Sequence, residues 1–117
     1  MSRFVDLCPD VKIPSGSAVS NTVLSKKVYD DAYQIMLVSP AALDAGHAYV
    51  LEVAADPDNP VWVPVFDQKL AANLALPAVS LAQVYSDPCW PAFRIHDTTG
   101  NVAADRIWKM AKASIII

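Results

Sequence analysis

Apolar and polar positions alternate in short runs along most of this chain, and sustained helical periodicity is almost absent. The clearest pair of runs is Tyr49–Ala55 and Val61–Phe66. In the first, Leu51, Val53 and Ala55 share one face while Glu52 points the other way, the period of two that marks a half-buried strand. The second is β-branched and aromatic, as strands prefer. Asp56-Pro57-Asp58-Asn59-Pro60 lies between them with turn-capping side chains and two prolines that cannot continue a ladder, so the stretch predicts a β-hairpin. Pro64, inside the second run, cannot donate a ladder hydrogen bond, which makes that strand an edge or a bulged one.

The same reading predicts further strands at 33–39, 78–85, 93–97 and 106–112, and a weak one at 18–24. Tyr33, Ile35 and Leu37 are expected on one face and Met36 and Val38 on the other, with both faces largely covered. Phe93 and Ile95 are expected inward with Arg94 and His96 outward, and Trp108 and Met110 inward. Gly46 suits a left-handed residue between 41–46 and the hairpin. Residues 67–76 read as a loop with at most a turn or two of helix, on the spacing of Leu70, Ala71 and Leu74. Turns rich in proline and aspartate at this spacing predict an all-β fold, an antiparallel β-sandwich of jelly-roll-like form with an extended N-terminal arm.

The arm is residues 1–17, and the sandwich domain 18–117. Pro9, Pro14 and Ser15-Gly16-Ser17 exclude a regular helix in the arm, yet Phe4, Val5, Leu7, Val11 and Ile13 make it apolar. Leaving each large side chain in water would cost roughly 1.5–3 kcal/mol. The arm therefore either packs along its own domain or lies on a neighbouring subunit.

Composition bears on partners. The chain has 117 residues, 54% hydrophobic and 18% charged, against roughly 45–50% and about 25% for an average domain. Apolar surface that one small core cannot hold points to an oligomer or a larger assembly. A net charge of −3 argues against nucleic acid. No apolar stretch reaches the ~18–20 residues of a membrane span, so no membrane partner is expected, and the N-terminus lacks the pattern of a secretory signal. Cys8 and Cys89 lie far apart without a CxxC pattern, so free thiols are expected; a bond between them would require a location outside the cell.

Candidate chemistry is sparse. Adjacent strand residues His96 and Asp97 point to opposite faces, and no GxSxG elbow supplies a nucleophile. His47 stands alone in a loop. Asp56–Asn59 offers oxygen ligands but lacks the glycine and bidentate glutamate of an EF-hand. Trp62 and Trp90, with Tyr49 and Tyr85, are candidates for a sugar-binding platform, or for core. No catalytic residue, metal site or cofactor is expected, and an enzyme is the least favoured class.

Ser15–Asn21, Pro40–Gly46, Tyr49–Asp56 with Val61–Val65, Phe93–Ile95 and Ala103–Trp108 together resemble the small β-sandwich virion proteins of tailed bacteriophages. The resemblance implies a structural role as a capsid decoration or cement protein: synthesised in the host cytoplasm, seated on the capsid exterior, homo-oligomeric with a trimer favoured, and bound to the major capsid protein. Phe4, Val5, Leu7, Val11 and Ile13 of the arm and Ile115, Ile116 and Ile117 of the tail are the expected contacts with capsid or sister subunits. The alternatives are a glycan-binding adhesion module using Trp62 or Trp90, and a neck or tail accessory protein.

Overall fold

Among the described residues the alternating runs become ten strands and one turn of helix. The computed structural model describes residues 2–67, 71–73, 76, 79–86 and 88–116. In chain order the elements are β1 (Ser2–Ile13), β2 (Val23–Leu24), α1 (Ser25–Val28), β3 (Ala32–Val38), β4 (Tyr49–Ala54), β5 (Val63–Pro64), β6 (Phe66–Asp67), β7 (Ala72–Asn73), β8 (Ala82–Ser86), β9 (Ala92–Asp97) and β10 (Arg106–Ile116). One four-stranded sheet runs β1-β10-β3-β8 and faces a second, β2-β9-β4-β5, with β6 and β7 forming a small separate ladder.

The pairing is nested. β1 pairs with β10, β2 with β9, β3 with β8 and β4 with β5, all antiparallel. Two further antiparallel pairings, β10 with β3 and β9 with β4, join these pairs into sheets. A long hairpin rolled up in this way is the jelly roll, and its two inner faces hold the core. Trp108 and Met110 come from β10, Ile35 and Leu37 from β3, Leu51 from β4, and Phe93 and Ile95 from β9, each at most 2% exposed. Tyr49 packs tilted on Trp108, and Tyr29 on Phe93. Phe93, Ile95, Trp108 and Met110 are the inward positions that alternation predicts.

The predicted hairpin is present as β4 and β5, joined through Glu52 opposite Pro64 and Val53 opposite Val63. β5 lies at the sheet edge, where the missing proline N–H costs no ladder bond. Asp56 caps the turn by accepting from the backbone N–H groups of Asp58 and Asn59. Gly46 has φ of +76°, the left-handed value expected of it.

Several expectations are corrected. The described part of the expected arm, residues 2–17, is not separate from the sandwich: Ser2–Ile13 is a sheet strand registered with β10 from Ser2 opposite Ile116 to Ile13 opposite Arg106. Val11 and Ile13 are completely buried in the core, so they cannot touch capsid or a sister subunit. The weak strand at 18–24 shrinks to β2 and an isolated bridge between Val19 and His96. The strand expected from residue 78 begins at Ala82, and Val79 and Leu81 are exposed. At 67–76 the described residues hold the β6–β7 pairing, not a helical turn, while Leu70 and Leu74 lie outside the described residues. Ser25–Val28, between the first two predicted strands, contains one helical turn that the strand pattern does not predict.

Candidate interaction surface

Strand pleating sends alternate residues of the first sheet outward, and antiparallel register aligns them in rows. Leu7, Ala111, Met36 and Val84 form one such row across all four strands. Val5, Ala113, Gln34 and Ser86 form the next, and Lys109, Val38 and Ala82 lie on the other side of the first. Leu7 is 91% exposed, Val5 71% and Val84 54%. Between Val5 on one side and Met36 and Val84 on the other, the short side chains of Ala111 and Ala113 leave a shallow groove of about 170 Å³. The face expected to be covered, that of Met36 and Val38, is therefore the outer one. Full burial of either residue would require something beyond this chain.

Charge on this face is sparse and locally matched. Lys109 Nζ donates to Asp10 at 2.9 Å, and Lys12 meets Asp105 at 3.1 Å. The β1 edge is guarded by devices that discourage indiscriminate pairing: a register shift between Cys8 and Val11, with Pro9 inside it.

The outer face of the second sheet is different. Glu52, only 7% exposed, accepts from Arg94 Nε at 2.8 Å and meets His96 Nδ1 at 3.1 Å. The Arg94 guanidinium lies 4.6 Å from the centre of the Trp62 ring. One face of that ring is thus already engaged by a cation. Trp90 stands edge-on to Tyr85 and Phe93 at 5.5 and 5.9 Å and packs against the core. The structure does not bring the two tryptophans together with Tyr49, which is buried against Trp108.

At one end of the sandwich, a buried carboxylate, Asp97, and a half-buried one, Asp44, tie down loops. Asp97 accepts from the N–H groups of Thr99 and Gly100 at 2.9 and 3.2 Å and meets His47 Nδ1 at 2.5 Å. Asp44 accepts from the N–H of Ala103 at 2.8 Å, from Arg106 Nε at 2.9 Å and from the Tyr49 hydroxyl at 3.2 Å. The Ala103 N–H and then the Arg106 guanidinium hold the Asp44 carboxyl below the usual range. Both oxygens of each carboxylate are occupied. His47, which stands alone in the sequence, has a partner fifty positions away; no local pattern signals that pair.

Of the expected contact residues, Val5 and Leu7 are exposed together on one face. The side chains of Phe4, Ile115 and Ile116, and all of Ile117, lie outside the described residues; the backbone of 115–116 extends β10 opposite Ser2 and Arg3. Met36, Val84, Ala111 and Ala113 were missed, because strand periodicity does not reveal which of two apolar faces lies inside. Cys8 and Cys89 are free thiols, and burial pushes the Cys8 thiol up. Among the described residues no cluster of three metal-capable side chains occurs.

The chain shares its fold with a prophage protein. The crystal structure of the SPBc2 prophage-derived protein YomS superposes with a TM-score of 0.60 over 97% of this chain and 94% of that one, at 6% sequence identity. At that identity the likeness concerns the fold alone. No family model matches the chain, and no curated protein matches it.

Proposed function

We propose that this chain is a non-enzymatic structural protein of a tailed-phage particle, and in the finer form a decoration or cement protein on the capsid exterior. The carrying observation is the outer face of the first sheet. Its rows of Leu7, Ala111, Met36 and Val84 and of Val5 and Ala113 leave apolar surface uncovered in a chain whose core is already closed. Exposed apolar rows of this kind mark interaction surfaces. The fold shared with a prophage-derived protein and the resemblance to phage virion proteins support the same reading. Jelly rolls serve capsid subunits and lectins alike, so the architecture alone does not choose between them. Trp90 packs against the core and Tyr49 is buried on Trp108, so neither joins Trp62 in an open aromatic platform, which favours the structural role over the glycan-binding one.

In this reading the β3–β8 half of the face, with Met36 and Val84, seats on the capsid lattice. Val84→Asp tests it without touching the core, because Val84 is 54% exposed. Purified particles lacking the protein, incubated with wild type and variant, should retain the first and lose the second at equal fold stability. Equal occupancy by both would refute this placement. Absence of wild-type binding to heads, with binding to isolated tails instead, would move the protein to the neck or tail.

A further inference from the structure

The β1–β10 half of the same face has a property that the lattice reading does not use: it is complementary to itself. Val5 and Leu7 of β1 form a ridge, and directly beside them Ala113 and Ala111 of β10 form a trough at the same level. Farther along the same two strands Asp10 of β1 stands beside Lys109 of β10 at 2.9 Å. At Val5, Leu7 and Asp10 each large or acidic group on β1 thus has a small or basic one beside it on β10, while at the next outward position Lys12 stands beside Ile107.

We propose that a second copy of this chain docks here, about a two-fold axis running along the strands between β1 and β10. Such an axis lays β1 of each copy over β10 of the other and leaves levels along the strands unchanged. Leu7 of one copy then seats on Ala111 of the other, and Val5 on Ala113. Large side chains meet small ones, the arrangement by which packed sheets interdigitate. Lys109 comes to lie over Asp10 of the second copy, so the two existing ion pairs merge into a four-charge cluster of alternating sign. No like charges are forced together at these positions, although each chain carries a net −3.

Area sets the strength. Two strands of about 12 residues cover about 10 Å by 40 Å, roughly 400 Å² per copy. A stable standard interface buries about 800 Å² per partner. The contact is therefore weak and becomes populated at high protein concentration. It leaves Met36 and Val84 free, so it stands or falls separately from the lattice seat proposed for them.

The test uses two single-cysteine additions, Leu7→Cys and Ala111→Cys, each in a Cys89→Ser background, purified separately and oxidised alone or mixed. Leu7 and Ala111 are neighbours within one chain, so placing the cysteines in different chains ensures that only an intermolecular contact can link them. The mixture is expected to give a disulfide-linked dimer on a non-reducing gel, and each variant alone far less. Leu7→Cys mixed with Val84→Cys, exposed on the same face but not opposed, is the collision control. In parallel, sedimentation over a concentration series should show weak self-association of the wild type that Leu7→Asp weakens at least about tenfold. A mixed reaction no better than the control, or association unaffected by Leu7→Asp, overturns the proposal. Loss of particle binding by Val84→Asp with crosslinking intact would separate the two contacts.

Discussion

Removing the first 14 residues is the obvious way to ask whether the N-terminal segment binds a partner, and the structure predicts that it will instead unfold the protein. Val11 and Ile13 are wholly buried, and burial of each stabilises by about 1.5–3 kcal/mol. The segment also makes ten registered pairs with β10, whose ladder hydrogen bonds are worth about 0.5–1.5 kcal/mol each. Its loss would uncover Trp108 and Met110 from one side. Together these terms match the whole stability of a domain of this size, about 5–15 kcal/mol. The truncated chain should show no cooperative thermal transition by circular dichroism and collapsed amide dispersion by NMR. Point changes separate the two faces of the strand. Ile13→Ala is expected to cost about 2–5 kcal/mol, whereas Leu7→Ala, at a side chain 91% exposed, should stay within about 0.5 kcal/mol of wild type. A truncated protein that melts cooperatively near the wild-type temperature would refute this account of β1. So would equal losses from Ile13→Ala and Leu7→Ala.

Asp97→Ala should destabilise by about 3–5 kcal/mol in denaturant unfolding, because it removes the acceptor of two loop N–H groups and the partner of His47; Asp97→Asn, which keeps one oxygen, should cost clearly less. Tyr85 and Tyr29 form a contrasting pair. Burial pushes the Tyr85 hydroxyl up to about 12 and it finds no hydrogen-bond partner among the described residues, so Tyr85→Phe should be neutral or stabilising in thermal melts. The Tyr29 hydroxyl donates to the Trp90 carbonyl, so Tyr29→Phe should cost about 1 kcal/mol. Asp44 and Asp105 have carboxyls held low in the fold, Asp44 chiefly by the Ala103 N–H and Asp105 by the Ser15 N–H, then by Arg106 and Lys12 respectively. A lowered folded value means stability that is fully present above the ordinary carboxylate range near pH 4 and lost as pH falls through the folded value. Thermal stability should therefore decline below about pH 4, and Asp44→Asn should flatten that decline; an unchanged acid limb would refute the assignment.

Period-two alternation was sufficient to place Phe93, Ile95, Trp108 and Met110 inside, to put Ile35 and Leu37 on one face together, and to identify a β-sandwich, because side-chain direction along a strand is a local property. Turn chemistry was equally local: the Asp56–Pro60 reversal, the left-handed Gly46 and the edge position of Pro64 follow from what those residues can do with their own backbone. The nested pairing of first strand with last was not legible in this way, since register between segments a hundred residues apart depends on how sheets close. For the same reason the apolar N-terminal segment read equally well as a free arm, and only its ladder with β10 made it a core strand with Val11 and Ile13 inside. Met36 and Leu37 are both apolar neighbours on β3, and the sequence does not say which of them faces water. That choice, and with it the exposed rows through Leu7, Ala111, Met36 and Val84, was made by the second sheet, which can cover only one side of the first.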